Sequence, residues 1–359
     1  MKKRIIVFFL FGFACHWLPA QTISGTIYDA ATRETIPGVT VYLNGTTTIT
    51  TSDKKGRFSL SVGKIINTSL ILSHLSYESL IIDNPFGNLT KEFYLTEKIS
   101  TITEAMVMAD RFSRGFSRDE KMKVFKDHFL GTSLAAKSCI IENEDDIELS
   151  YDYENYRLLG HTAQPVVVVN NYLAYRIIFD LHYFCVTFPD LTIDGGRVVR
   201  TSFFGTSVYE DQSPYKVLYA KRREEAYLVS IQYFWKNFID NTLKESQFKI
   251  YNKYKQINQD QYFTILYDPP QKKLFLIPNT DLNSRHENVE DENMMGVIGV
   301  VFKNYRSEII FLTNEVSVDA FGNPDPVVDK LLYIGDMGIQ RLGDMLPKDY
   351  TFAPKRRAK

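Results

Sequence analysis

The run Thr50-Thr51-Ser52-Asp53-Lys54-Lys55-Gly56-Arg57-Phe58-Ser59-Leu60-Ser61-Val62 decides the fold of the first part of the chain. It reads as the end of one strand, a tight turn and the start of the next. Asp53 can hydrogen-bond the turn backbone, and Gly56 supplies the positive φ that a hairpin corner needs. Beyond the turn, Phe58, Leu60 and Val62 alternate with polar residues, so one strand face is apolar. Upstream, Ile23 to Tyr28 alternates and stops at Asp29, and Ile36-Pro37-Gly38 leads into Val39-Thr40-Val41-Tyr42-Leu43. Asn44-Gly45 is a second strong corner, because both residues tolerate positive φ. Downstream, Ser69 to Ser73, Leu80 to Asp83 and Phe93 to Leu95 are further strand-length runs. Turns at this short spacing predict an all-β sandwich over residues 21–97.

Four blocks then resemble a known family in the right order: Gly25 to Asp29, Ile36 to Val41, Thr50 to Leu60, and Leu72-Ser73-His74-Leu75-Ser76-Tyr77. Together they resemble the carboxypeptidase-regulatory-like domain, which implies a seven-stranded, transthyretin-like β-sandwich. Ser76 stands where the family usually has Gly, and Thr35 where it usually has a first Pro. In that family the sandwich often precedes a TonB-dependent receptor barrel, and Ile99 to Met108 resembles the strand that follows it there. The roughly 250 residues that remain are too few for a plug and the roughly 22 strands of such a barrel. The short basic end Lys355 to Lys359 also differs from a terminal membrane strand. The expectation is a short form without the barrel.

Residues 98–116 read as a linker and 117–359 as a larger β-rich α+β domain with two main helices. Ser117-Arg118-Asp119-Glu120 is a capping box, and Met122, Phe125 and Phe129 follow at helical spacing up to Gly131. A second helix is expected from about Leu228 to Leu243, with Ile231, Phe234, Trp235, Phe238, Ile239 and Leu243 as its apolar stripe. Strands are expected at Cys139 to Glu142, Asp146 to Tyr153, Leu158-Leu159, Val166 to Val169, Tyr175 to Phe179 and His182 to Phe188. Two hairpins follow, Tyr262 to Leu266 with Lys273 to Ile277, and Val297 to Phe302 with Ser307 to Leu312. Scattered pieces resemble the C-terminal region of short carboxypeptidase-regulatory-like proteins of Bacteroidota envelopes. They are Phe129 to Thr132, Cys139 to Asn143, Asn171 to Tyr175, Phe204-Gly205, Arg222 to Tyr227 and Leu346 to Tyr350. Where such proteins often read Leu-Gly-Tyr, this chain has Leu173-Ala174-Tyr175. No function comes with that resemblance.

Residues 1–20 read as a signal peptide. Lys2, Lys3 and Arg4 precede an apolar run from Ile5 to Ala14, about ten residues and too short to span a bilayer, with cleavage expected after Ala20. Cys15 is preceded by Gly12-Phe13-Ala14, a poor context for lipid attachment. The expected location is the periplasm or the outer-membrane surface. Losing three of the 42 Lys and Arg leaves 39 against 43 acidic residues, which gives no whole-chain attraction to nucleic acid. Cys139 and Cys185 remain, and either a disulfide or two buried thiols in neighbouring strands fits the sequence.

The search for chemistry returns no assignable catalytic, cofactor or metal residue. His74, His161 and His182 lack the His-x-x-Glu spacing of a zinc carboxypeptidase site. No nucleophile elbow, P-loop or dinucleotide fingerprint occurs. Asp29 and Asp53 could approach one another, but a calcium site needs six or more oxygens. The acidic clusters Glu144-Asp145-Asp146 and Glu287 to Glu292 read as solvated loops, and Asn283 to Asn293 as a long exposed loop suited to partner contacts. Tyr151, Tyr153 and Tyr156 read as packing before sugar stacking. Two functions compete: a non-catalytic exported module binding an envelope protein or glycan, and a hydrolase with dispersed active-site residues.

Overall fold

The computed structural model describes residues 21–63, 65–87, 91–98, 115–213, 216–268, 271–276, 282, 294–325 and 330–352. Residues 1–20, Ile99 to Met108, residues 283–293 with the acidic cluster 287–292, and residues 355–359 lie outside the described residues.

Alternation builds the N-terminal sandwich as expected. Its seven strands are β1 (Gln21–Asp29), β2 (Thr40–Leu43), β3 (Ile49–Thr51), β4 (Arg57–Val62), β5 (Leu70–His74), β6 (Tyr77–Ile82) and β7 (Glu92–Leu95). They form one sheet in the order β4-β1-β7 and a second in the order β3-β2-β5-β6. Ile27, Val39, Val41, Leu43, Leu60, Leu70 and Leu72 fill the space between them. Gly56 sits at φ +69, and a Cβ there would lie 2.7 Å from the Ile27 carbonyl oxygen, so the hairpin corner needs glycine twice over.

A second core lies under a six-stranded sheet. Its elements are α1 (Arg118–Phe129), α2 (Leu134–Lys137), β8 (Cys139–Ile141), β9 (Ile147–Asp152), β10 (Arg157–Thr162), β11 (Val166–Asn170), β12 (Tyr175–Thr187) and β13 (Arg200–Asp211). The Ser117–Glu120 capping box starts α1 as read. Phe125 and Phe129 on α1 pack on Phe184 and Phe179 of β12, with ring centroids 4.6 and 5.1 Å apart. The two strands expected at Tyr175–Phe179 and His182–Phe188 are one, because Asp180 and Leu181 between them stay extended, paired with Thr206 and Gly205 of β13 (Arg200–Asp211). A bulge at His182 absorbs the irregularity. β13, which pairs with β12 along its full length, was not foreseen.

A third core surrounds α4. The chain continues through α3 (Lys216–Leu228), α4 (Ile231–Ile239), β14 (Phe248–Asn252), β15 (Lys255–Ile257), β16 (Phe263–Asp268), β17 (Gln271–Leu276), β18 (Gly296–Phe302) and β19 (Tyr305–Phe311). It ends with β20 (Glu315–Val318), β21 (Pro324–Asp325) and β22 (Leu331–Gly335). Sheets ordered β15-β14-β18-β19-β22 and β16-β17-β20-β21 meet α4, whose Phe234, Trp235 and Phe238 are fully buried. Both predicted hairpins form. The helix expected from Leu228 to Leu243 is shorter. Ser230 caps a new helix with its hydroxyl on the Tyr233 N–H, and the chain leaves helical geometry after Ile239, with Asn241 at φ +57. With α3 the described residues hold four helices rather than two main ones. Its polar sequence carries no apolar stripe to betray it. Among the described residues no helix is long and apolar enough to cross a membrane.

The Asn44–Thr47 turn joins the sandwich to the rest. Gly45 N–H donates to the Ser207 carbonyl (2.6 Å), Tyr209 N–H to the Thr46 carbonyl (2.9 Å), and Ser207 N–H to Asn44 Oδ1 (2.8 Å). From the other side Lys348 N–H donates to the Gly45 carbonyl (2.7 Å), and Asp349 accepts from Thr47 N–H. Buried Asp319 accepts from Asn67 N–H at 2.8 Å, and Lys348 O receives Gln232 Nε2 and Asn323 Nδ2. Tyr42 and Ile71, on the outer face of their sheet, are buried against Val208.

Cys139 and Cys185 are free thiols. Their strands are not neighbours, since β11 lies between β8 and β12. Cys139 is level with Asn170 and hence with Tyr175, ten residues before Cys185. That offset is roughly 30 Å along the strand, far beyond bridging reach. Burial pushes the Cys139 thiol up to about 12, which makes it a poor nucleophile.

The turn before β12 carries Ala174 at φ +55, a left-handed conformation that costs an L-residue about 1–2 kcal/mol. Its buried methyl returns about 0.8 kcal/mol. Ala174→Gly is therefore expected to raise stability by about 0.5 kcal/mol, read as a higher denaturation midpoint at unchanged slope. Arg223 clamps the same turn, donating to the carbonyls of Leu173 and Ala174 and, through both terminal nitrogens, to Asp211. The Arg223 side-chain hydrogen bond holds the Asp211 carboxyl far below its usual range. A depressed carboxyl stabilises the fold above its unfolded pKa of about 4, and that contribution fades as pH falls below it. Arg223→Gln is expected to cost about 2 kcal/mol at pH 7, and the gap to wild type should narrow at pH 3 in denaturant titrations.

Candidate functional site

Two concavities carry side chains suited to binding. The first is a trough of about 540 Å³ on the outer face of the β14-β18-β19-β22 sheet. Strand register lays Tyr251, Gly299, Glu308 and Ile334 in one row across the four strands, because Tyr251 pairs with Gly299, Gly299 with Glu308, and Glu308 with Ile334. Gly299 gives the row a low floor. A Cβ placed there would sit 3.4 Å from Tyr251 Cβ, an ordinary contact, so packing tolerates a side chain and does not itself demand glycine. The adjacent row is Lys249, Val301 and Arg306. Lys253 and fully exposed Tyr254, from the β14–β15 turn, complete the rim.

The second is a cleft of about 320 Å³ between the sandwich and β12, walled by Tyr42, Leu75, Ile178 and Val208. His74 and Asp180 reach it from opposite sides. Ser79 Oγ donates to Asp180 Oδ2 at 3.0 Å, and His182 Nε2 lies 3.6 Å from the same oxygen. Burial opposes ionisation of Asp180, but the His182 hydrogen bond and charge, with Ser79, outweigh it and leave the carboxyl below its usual value. The serine is bonded straight to the carboxylate, with no imidazole between them to take its proton, so this is not the relay of a nucleophilic site. His74 Nδ1 accepts from Ser76 N–H.

The remaining residues singled out from sequence have local partners. Asp29 closes a turn through the N–H groups of Ala31 and Thr32 and receives the Tyr77 hydroxyl. Asp53 accepts from the backbones of Lys55 and Arg57 and pairs with the Arg57 guanidinium. Backbone hydrogen bonds, from Thr32 and Arg57 respectively, lead in holding both carboxyls below their usual values. Glu144 pairs with Lys126, and Asp146 accepts from Asn143. Tyr151 is buried, donates to the Thr192 carbonyl and packs with Phe116 and Tyr153. His161 lies opposite Glu148 on β9. Cys185 points its sulfur toward Thr187 rather than His182. Among the described residues no group of three or more His, Cys, Asp or Glu is placed to hold a metal ion.

His128, passed over in the sequence, is half-buried between Thr201 Oγ1 (2.8 Å) and the Gly195 carbonyl (3.2 Å). Burial lowers its pKa. Asp180 and the trough were also missed. Gly299, set between Val297-Ile298 and Val300-Val301, was the one signal in the sequence that something approaches, or leaves space, there.

Searches of curated proteins and of solved structures return no match to the chain. One family model does match, that of the CarboxypepD_reg-like domain, over residues 23–107. Its span takes in β1 from Ile23 onward and the other six strands of the first two sheets whole, and the chain therefore carries a carboxypeptidase-regulatory-like β-sandwich ahead of a larger β-rich region.

Proposed function

We propose that the protein is an exported, non-catalytic binding module of the cell envelope, engaging an envelope protein or a glycan in the periplasm or at the outer membrane. The observation that carries this reading is the open trough over Gly299. Aromatic and charged side chains converge there on a sheet braced by its own core, as ligand sites on rigid scaffolds do. The basic n-region and short apolar run of residues 1–20 support export, and the accessory character of the sandwich in its family supports binding. A hydrolase is the second reading, favoured by Asp180, His182 and His74 around the interdomain cleft.

One experiment separates them. The purified full chain, immobilised, is exposed to envelope extract and to a polysaccharide panel, and in parallel assayed against peptide and glycoside substrates. Retention that survives Asp180→Asn but drops about tenfold in Tyr254→Ala supports the binding module. Turnover abolished by Asp180→Asn or His182→Gln would replace it with the hydrolase.

A further inference from the structure

We infer that the trough over Gly299 is a binding site for glycan chains bearing acidic sugars. The inference rests on the binding-module reading and names its ligand class. Three features of the trough lead to it.

The first is shape. Gly299 is the one position of its row without a side chain, and it leaves a depression between Tyr251 and Glu308 that is open to solvent. One unit of an extended chain can sit in such a depression while its neighbours run out over the sheet. The second is the kind of apolar surface offered. Tyr254 is fully exposed and Tyr251 lines the trough beside it, so two tyrosine rings join Val301 and Ile334 in the apolar lining. A ring presents an apolar face with a polar hydroxyl at its tip, which matches a pyranose, apolar across its C–H face and polar around its edge. The third is charge. Lys249, Lys253 and Arg306 are exposed on this face or its rim. The acids nearby are held more closely: Glu308 is half-buried, and the Asp336 carboxylate accepts the Arg306 backbone N–H at 2.6 Å. The cations that protrude are therefore complementary to carboxylates spaced along a polymer, with Arg306 able to grip one through two parallel hydrogen bonds.

A protein partner fits less well. The cores of protein interfaces are depleted in lysine, and a partner seated here would have to bury two. A flexible acidic glycan leaves lysine ammonium groups at the rim, where they remain in water.

The test is binding of hexagalacturonate, maltohexaose and polyaspartate to the full chain, by calorimetry at low and physiological salt. Hexagalacturonate should bind at least tenfold more tightly than neutral maltohexaose, and more weakly as salt rises. Tyr254→Ala and Arg306→Gln should each weaken it about tenfold. Gly299→Leu should abolish it by filling the floor, and the smaller Gly299→Ala, which makes only ordinary contacts, guards against misfolding in the larger variant. Equal binding of maltohexaose, equal binding of polyaspartate, or indifference to all the variants overturns the inference. If hexagalacturonate fails but an envelope protein is captured through the same residues, the ligand class is wrong and the binding module stands. If neither binds, both fall.

Discussion

The architecture depends on one short turn whose backbone is shared between two bodies. Asn44 to Thr47 would in an isolated hairpin offer its free N–H and C=O groups to water. Here they are spent on the edge of β13 and on the backbone of Lys348. Buried backbone groups must find partners, so once this turn is covered its position is fixed in both distance and direction. The positive φ of Gly45 makes the geometry accessible, and Lys348 lies against the place where a Cβ would stand. Each such bond contributes only about 1 kcal/mol net, but leaving several unmade in a buried seam would cost more than any one is worth. The outer-face burial of Tyr42 and Ile71 follows from the same contact.

The Lys348 region shows how far the bracing reaches. Its carbonyl receives α4 through Gln232 and the β20–β21 loop through Asn323, while its N–H holds the sandwich. Burial lowers the pKa of its ammonium group, partly countered by Asp319 and Asp325. Other contacts between segments far apart in the chain brace the same cores. Arg223 binds Leu173, Ala174 and Asp211; Arg222 stacks on Tyr172; Tyr227 packs on Tyr350; and Gly343 N–H meets Leu130 O. These contacts are joints of the scaffold. They describe how three cores are bolted together and leave the ligand-facing surface unspecified.

That division explains what could be read from residues alone. The sandwich was legible because its strands are one-sided: Phe58, Leu60 and Val62 alternate with polar neighbours, and glycine or asparagine marks most corners, Leu75-Ser76 excepted. Tyr42 broke the pattern harmlessly, since its covering surface comes from residue 208, far along the chain. β13 was illegible for a related reason. Its residues 200–206 are half-exposed or polar, and only the pairing with β12 makes them a strand. α3 hid because an arginine, Arg223, does the work a leucine usually does. Beyond the hint of Gly299 the trough could not be seen, because Tyr251, Gly299, Glu308 and Ile334 come from four segments and become neighbours only through register.

The same logic ranks the two concavities. In the interdomain cleft the polar groups satisfy one another: Ser79 and His182 already serve Asp180, and the Tyr42 hydroxyl already meets Thr206. A ligand entering there must break protein hydrogen bonds inside a partly dry seam, and each group it strands costs about 1–3 kcal/mol. Displacing them would also loosen the contact that seats the sandwich. On the sheet face Tyr254, Lys249 and Lys253 extend into solvent from strands braced by the α4 core. A ligand there exchanges water for ring faces and ammonium groups and leaves the scaffold's own bonds intact. Binding is therefore easier to place where the protein has least to undo, and the trough, not the cleft, is where a ligand can be gained without weakening the fold.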